Sequence, residues 1–209
     1  MPVTVCWAVK GGSGTTLIAA TLALSCRTDA LLVDLDGEIP ALLGVPEPGG
    51  QGVADWLVSD APPSALERLT IDVDRTTRLI PKGTGPASAS DERWHALLGW
   101  LALQGSVIVD AGTGSPTPAL VDAGARSLLV TRNCYLALRR VSTLACRPDA
   151  VVLVTEPGRR LRRRDVEHSV GAPVVAAVSL DPAVSRIVDS GLLTARLPRG
   201  FANELRGAA

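Results

Sequence analysis

Residues 3–26, VTVCWAVKGGSGTTLIAATLALSC, decide how the rest of the chain is read. Residues 3–9 are an almost unbroken apolar run, the pattern of a strand buried on both faces. Gly11, Gly12 and Gly14 follow, with Ser13 among them, and residues 16–26 have the composition of a buried helix. A strand, a glycine turn and a helix in that order form a concave nest of backbone N–H groups, and the helix adds the positive end of its dipole. That is a site for an anion. The common phosphate-binding loop reads G-x-x-x-x-G-K-[ST]. Here Thr15 occupies the lysine position, Thr16 the position of the Mg²⁺-binding hydroxyl, and Lys10 has moved to the front of the loop.

Further apolar runs lie at 30–36, 77–83, 106–112, 126–132, 149–156 and 172–180. Helical segments are predicted between them at 91–103, 116–123, 134–145, 162–170, 182–190 and 200–207. The helix at 91–103 starts with a Ser-Asp cap and two acids, which suit a helix N-terminus. Residues 44–64, with GVPEPGGQG and APPSA, read as loops around a short helix at 53–59. Alternating strands and helices imply a single α/β domain over residues 1–209, three-layered, with a central, mostly parallel sheet flanked by helices.

Composition fits that architecture. The chain has 209 residues, 46% of them hydrophobic but only 3% aromatic, so its core is aliphatic. A formal net charge of zero gives no bulk argument for a nucleic-acid partner. Lysine occurs only at positions 10 and 82, so a lysine in the glycine loop stands out from an otherwise arginine background. Cys6, Cys26, Cys134 and Cys146 lack metal-ligand spacing and read as buried, reduced thiols. No signal segment and no apolar run of about 18 residues is visible, which predicts a soluble cytoplasmic protein. Trp56, Trp94 and Trp100 are expected to pack on helices. His95 and His168 read as surface residues without a chemical role.

The acids complete the candidate site. Asp34 and Asp36 end the second strand, and Asp110 ends the run VIVD. Ligands of open α/β sheets bind beyond the carboxyl ends of the strands, so these acids and the glycine loop converge on one crevice. Asp110 would reach Mg²⁺ directly or through water, and Asp36 would orient a water toward a terminal phosphate. Gly112 and Gly114 would let the backbone approach that phosphate.

These residues resemble the ParA/MinD family of deviant-Walker nucleotide-binding proteins. The family pattern KGGxGKTTLAANLA aligns without a gap on KGGSGTTLIAATLA; VDLDGEIPALLGVP resembles its DxD segment, and VIVDAGTGSPTPAL its third motif. VSLDPAVSRIVDSGLL is similar to its last strand and helix, which follow the adenine pocket. The small residue at position 15 looks most like the CpaE/TadZ branch, associated with positioning pilus-assembly machinery at cell poles. Members of that branch often carry an N-terminal receiver-like domain, which this chain does not show before its glycine loop.

The resemblance implies ATP (or ADP) with Mg²⁺, sandwiched in a homodimer in which Lys10 reaches the partner's phosphates. Lys10 and Asp36 then carry the catalytic roles. Gly11, Gly12, Ser13, Gly14, Thr15, Thr16, Asp34, Asp110 and Gly114 contact the nucleotide, and Thr16 and Asp110 serve the Mg²⁺. Thr15 lacks the charge of the standard loop lysine. Losing such a donor costs on the order of 2–4 kcal/mol of transition-state stabilisation, or roughly 100- to 1000-fold in rate. Nucleotide binding with slow or absent hydrolysis is the expectation.

Residues 158–164, GRRLRRR, hold five arginines, Arg159, Arg160, Arg162, Arg163 and Arg164. They are read as a solvated face paired with acids such as Asp165 and Glu167, as a nonspecific DNA contact, or as a surface for an unidentified protein partner. Membrane attachment is not expected. Three functions therefore compete. The first is a positioning switch that recruits a pilus, secretion or cell-pole partner. The second is a DNA-partitioning ATPase using the Arg159–Arg164 cluster, and the third a nucleotide-free scaffold. A polar or nucleoid address within the cytoplasm accompanies the first two.

Overall fold

In the computed structural model the described residues are 3–46, 49–122, 124–144, 146–179 and 181–208. The strands are β1 (Val3–Ala8), β2 (Ala30–Asp34), β3 (Ile71–Asp72), β4 (Thr77–Ile80), β5 (Ser106–Thr113), β6 (Arg126–Arg132), β7 (Ala150–Thr155) and β8 (Val174–Ser179). They form one sheet in the order β3-β4-β2-β5-β1-β6-β7-β8. Every pairing is parallel except β3 with β4. The helices are α1 (Thr15–Leu24), α2 (Ile39–Leu43), α3 (Val53–Leu57), α4 (Asp91–Leu101), α5 (Pro118–Asp122), α6 (Tyr135–Val141), α7 (Arg163–Val170), α8 (Pro182–Asp189) and α9 (Arg199–Glu204).

Strand alternation divides the core between the two faces. Cys6, Leu32, Ile108, Leu128 and Val130 pack with α1, α2, α8 and α9. Val5, Leu31, Val33, Val107 and Val109 pack with α3, α4 and α5, and Trp7 and Leu129 with α6 and α7. Trp7 is buried in the middle of the sheet and donates its indole N–H to Ser127 Oγ at 2.9 Å, which satisfies its one polar atom. The faces thus bury aliphatic side chains on both sides of the parallel strands, as the continuous apolar runs require. α4 shows the helix counterpart. Ser90 Oγ accepts the N–H of Arg93 as an N-cap, Asp91 and Glu92 sit in the first turn, and Trp94, Leu97, Leu98 and Leu101 form the buried stripe.

Several boundaries differ from the sequence expectation for identifiable reasons. The strand expected over 77–83 stops at Ile80, since Pro81 has no N–H to donate to a ladder. The carbonyls of Pro81 and Lys82 instead accept the N–H groups of Val53 and Ala54, both at 2.9 Å, at the start of α3. A 3₁₀-helix over Pro63–Leu69 starts at the end of the 44–64 stretch expected to be loop, and α2 follows directly on the acidic segment. The expected ends at 123, 145 and 180 lie outside the described residues. Only Cys6 is a fully buried thiol; Cys26, Cys134 and Cys146 are free but partly exposed, a correction to the expectation that all four are buried. Trp56 and Trp94 are buried and Trp100 half-buried, whereas His95 and His168 lie at the surface. Among the described residues, no helix is long and apolar enough to cross a membrane.

Candidate functional site

The sheet order sets the site. β1 lies between β5 and β6, and the chain leaves it toward β2 on one side and later reaches β6 on the other. A crevice opens beyond the carboxyl ends of β1, β2 and β5, where such a reversal places it. It measures about 520 Å³, within the range of small-molecule sites, and is walled by the Gly11–Leu17 segment, Asp36, Gly112 and Asp189. A side pocket of about 70 Å³ shares Gly12, Ser13, Gly14 and Leu17 with it. That pocket runs toward the ends of β7 and β8 at Val154, Val178 and Phe201.

The glycine loop is held open as a cradle. Gly12 and Gly14 adopt φ of 73° and 90°, left-handed values that favour glycine. A Cβ at either would meet nothing within 4 Å, so both face open space. Ser13 is buried and its hydroxyl donates to the Lys10 carbonyl at 2.7 Å, which closes the turn from inside. The first amide after the loop with a backbone acceptor is that of Ile18, to Gly14 O at 2.9 Å. The N–H groups from Gly11 to Leu17 have no backbone acceptor among the described residues, and α1 has no side-chain N-cap. They are free to bind an anion.

The acids take distinct roles. Asp34 is fully buried, and its carboxylate accepts the N–H groups of Asp36 at 3.0 Å, Gly37 at 2.6 Å and Ile39 at 3.2 Å. It shapes the acidic segment from beneath. Desolvation raises its pKa, and the three amides oppose that rise. Asp36 is exposed on the crevice wall. Its carboxyl packs on Gly112, where a Cβ would come within 2.4 Å of Asp36 Cγ; Gly112 also has φ 63°. Asp110 is fully buried on β5, two residues before Gly112, and is not itself among the residues that line the crevice. Its Oδ1 accepts the Gly112 N–H at 3.1 Å, and its Oδ2 has no hydrogen-bond partner. Burial pushes its pKa up to about 7, an effect reinforced by Asp34 and Asp36 and opposed by the Thr16 side chain and the Gly112 amide.

The remaining expected residues fall in different places. Thr15 is buried at the start of α1 and Thr16 half-buried beside Asp110; both line the crevice. Lys10 is not among the lining residues; its Nζ donates to the Gly11 carbonyl at 3.5 Å. Gly114 does not line it either, and its N–H donates to Ala8 O at 2.8 Å. The Gly112 amide is likewise taken by Asp110, so neither of these glycine N–H groups points free toward a phosphate.

The sequence did not single out Glu38, Asp189 or Lys82. Glu38 and Asp189 join Asp36 on the crevice wall, and among the described residues no Lys or Arg lines it. Lys82 Nζ donates to the Asp36 carbonyl at 3.1 Å. Its signal was its rarity, as one of two lysines in the chain.

The residues fit a nucleotide with Mg²⁺. Open amides suit phosphate, and an orphaned buried carboxylate oxygen beside a threonine hydroxyl suits a hydrated cation. Among the described residues no group of three or more His, Cys, Asp or Glu is placed to hold a metal by itself. A Mg²⁺ bound here would therefore take most of its ligands from phosphate and water, as this ion does.

The sheet, the loop and the helix that follows it define an α/β fold of the P-loop NTPase kind. Its particular form is that of the ParA and MinD ATPases. No protein-family model matches the chain, and no curated protein matches it. Solved structures do. A ParA family ATPase from Chlorobium tepidum superposes with TM-score 0.76 at 20% identity, over 98% of this chain and 96% of that one. MinD in the MinC:MinD complex of Aquifex aeolicus gives TM-score 0.78 at 18% identity, over 99% and 93%. The MinD protein of Pyrococcus horikoshii, complexed with Mg-ADP, gives TM-score 0.74 at 17% identity, over 99% and 93%.

Proposed function

We propose that the chain is a nucleotide-gated positioning switch of the ParA/MinD type, which binds ATP·Mg²⁺ in the crevice and turns it over slowly or not at all. The observation that carries this reading is the pairing of the open amides of Gly11–Leu17 with the unpartnered Asp110 Oδ2 next to Thr16. The amides hold the phosphates. Thr16 and Asp110 would hold Mg²⁺, which supplies neutralisation of phosphate charge. Val154, Val178 and Phe201 offer an apolar side pocket for a base. Asp36, fixed against Gly112, orients a water at the outer end of the phosphate tail.

Among the described residues, no side-chain cation lines the crevice. Thr15 gives a hydroxyl where the standard loop has an ammonium, and Glu38 and Asp189 add negative charge to the wall. Lys10, which is not among the residues lining its own crevice, is available to a second copy, in keeping with the homodimer that the family resemblance implies. The recruited partner is then a protein, read here as pilus, secretion or cell-pole machinery of the kind served by the CpaE/TadZ branch.

The test compares ATP turnover in the natural chain and in Thr15→Lys. The substitution is expected to raise turnover by roughly 100- to 1000-fold. A natural chain already as fast as Thr15→Lys contradicts the reading.

The arginine cluster favours a second reading, DNA partitioning. Arg159 pairs with Glu156 at 2.8 Å and Arg163 with Glu167 at 3.0 Å. Arg160, Arg162 and Arg164 are exposed and make no ion pair among the described residues. Three free guanidinium groups on one short stretch suit a phosphate backbone.

A further inference from the structure

The two lysines of the chain each hydrogen-bond a segment that lines the crevice. Lys10 hydrogen-bonds the glycine loop at Gly11 O, and Lys82 the acidic segment at Asp36 O. All other basic side chains, histidines apart, are arginine. Lys82 is firmly rooted. Its own carbonyl and that of Pro81 accept the first amides of α3, and a Cβ at Gly52 would lie 2.2 Å from Pro81 O, so backbone packs directly on backbone there. From this root the side chain crosses to the acidic segment. Its Cδ lies 3.2 Å from where a Cβ of Gly37 would be, and Gly37 adopts φ 101°. The ammonium has three donors, of which one is spent on Asp36 O, and no carboxylate pairs with it among the described residues. Its charge therefore makes no ion pair among the described residues, next to the segment that carries Asp36 and Glu38.

We propose that Lys82 is the positioning residue of this site: it holds the Asp36–Gly37 peptide against the crevice and supplies, from the β4 side, positive charge felt by the outermost phosphate. This inference rests on the nucleotide-binding reading and deepens it. The base pocket near Val154 and Phe201 lies on the far side of the glycine loop from Asp36 and Gly112, so the phosphate tail ends on the Asp36 side. A lysine acting there affects a nucleoside triphosphate more than a diphosphate. Lysine suits the task as a compact point charge on a flexible stem, where a planar guanidinium would have to lie flat against Gly37.

The test is equilibrium titration of the natural chain, Lys82→Met and Lys82→Arg with ATP·Mg²⁺ and ADP·Mg²⁺, together with amide exchange of the nucleotide-free proteins. Lys82→Met keeps most of the stem and removes the charge. It is expected to weaken ATP by about fivefold or more while ADP changes by less than about twofold, a coupling of ordinary size. Lys82→Arg should recover part of the loss. In the nucleotide-free chain Lys82→Met should speed exchange at Asp36 and Gly37 and leave residues 19–23 of α1 unchanged. Equal weakening of both nucleotides, no weakening of either, or unchanged exchange at Asp36 and Gly37 overturns the proposal. If the natural chain binds neither nucleotide, the nucleotide-binding reading fails and takes the phosphate role of Lys82 with it. Amide exchange then decides separately whether Lys82 holds the acidic segment.

Discussion

The crevice and the arginine ridge of residues 158–164 handle negative charge in opposite ways. The ridge presents side-chain cations to solvent, some tied to Glu156 and Glu167 and three left free. The crevice presents backbone amides and the exposed acids Asp36, Glu38 and Asp189, and among the described residues no Lys or Arg lines it. A guanidinium in water attracts any anion weakly and is screened by salt. Fixed amides at a helix start select the size and place of an anion, and acids beneath them demand a counter-cation. The difference teaches that a chain of zero net charge can still divide its charged groups: in the proposed reading the crevice would hold a phosphate with its metal, and the ridge would meet a surface.

The largest effect that would break this contrast comes from Gly112→Ala. The new Cβ collides with Asp36 at a left-handed φ, which costs about 1–2 kcal/mol from conformation alone. Thermal unfolding should show the loss, and ATP·Mg²⁺ titration should show weaker binding because Asp36 must move. An unchanged melting temperature would mean that the Asp36–Gly112 contact is not tight.

A second effect concerns pH. Asp110 titrates near 7 in the folded chain, well above an ordinary carboxyl. A raised acid favours the folded state at low pH, and that contribution is lost as pH rises from about 4 through about 7. The nucleotide-free chain should therefore lose stability over this range, and Asp110→Asn should lose less. Binding runs the other way, because the cation needs the ionised carboxylate. Affinity for ADP·Mg²⁺ should rise about tenfold more between pH 6 and pH 8 in the natural chain than in Asp110→Asn. Parallel pH profiles for the two proteins would remove Asp110 from the metal site.

The smallest effect should follow from replacing Arg160, Arg162 and Arg164 together by Ala. ATP·Mg²⁺ affinity is expected to stay within about twofold, since their charges are exposed and screened. Retention on DNA, measured against salt, sharpens the comparison: the slope of log K against log salt should drop by about 3 if all three contact phosphates. An unchanged slope leaves the ridge to a protein partner.

Much of this was legible in the sequence. The central strands announced themselves because both of their faces are buried, and the order strand, glycine loop, helix placed the cradle from residues 3–26 alone. Asp34 ends β2 as expected, whereas Asp36 lies two residues past it and β5 runs on to Thr113, three residues beyond Asp110, because the β1–β5 pairing continues to Ala8 and Thr113. α2 and the 3₁₀-helix at 63–69 were missed because each is short and enters through proline, which reads as a breaker. β3 was missed because two residues carry no period. Asp189 and Lys82 reach the site from 153 and 46 residues away from Asp36, and no local pattern encodes such a contact. The contact of Lys10 with the Gly11 carbonyl and the capture of the Gly114 amide by Ala8 are matters of side-chain and loop geometry rather than of residue type.

The account rests on the crevice taking up a nucleotide through its amides with the help of Mg²⁺, and thermal unfolding of the natural chain measures this most directly. With ATP and Mg²⁺ at 100 times the dissociation constant the fold should gain about 2.7 kcal/mol. ATP with a chelator in place of Mg²⁺ should give a much smaller shift, because the wall contributes Asp36, Glu38 and Asp189 and no lining cation. No shift at millimolar ATP·Mg²⁺, or an equal shift without the metal, would contradict it.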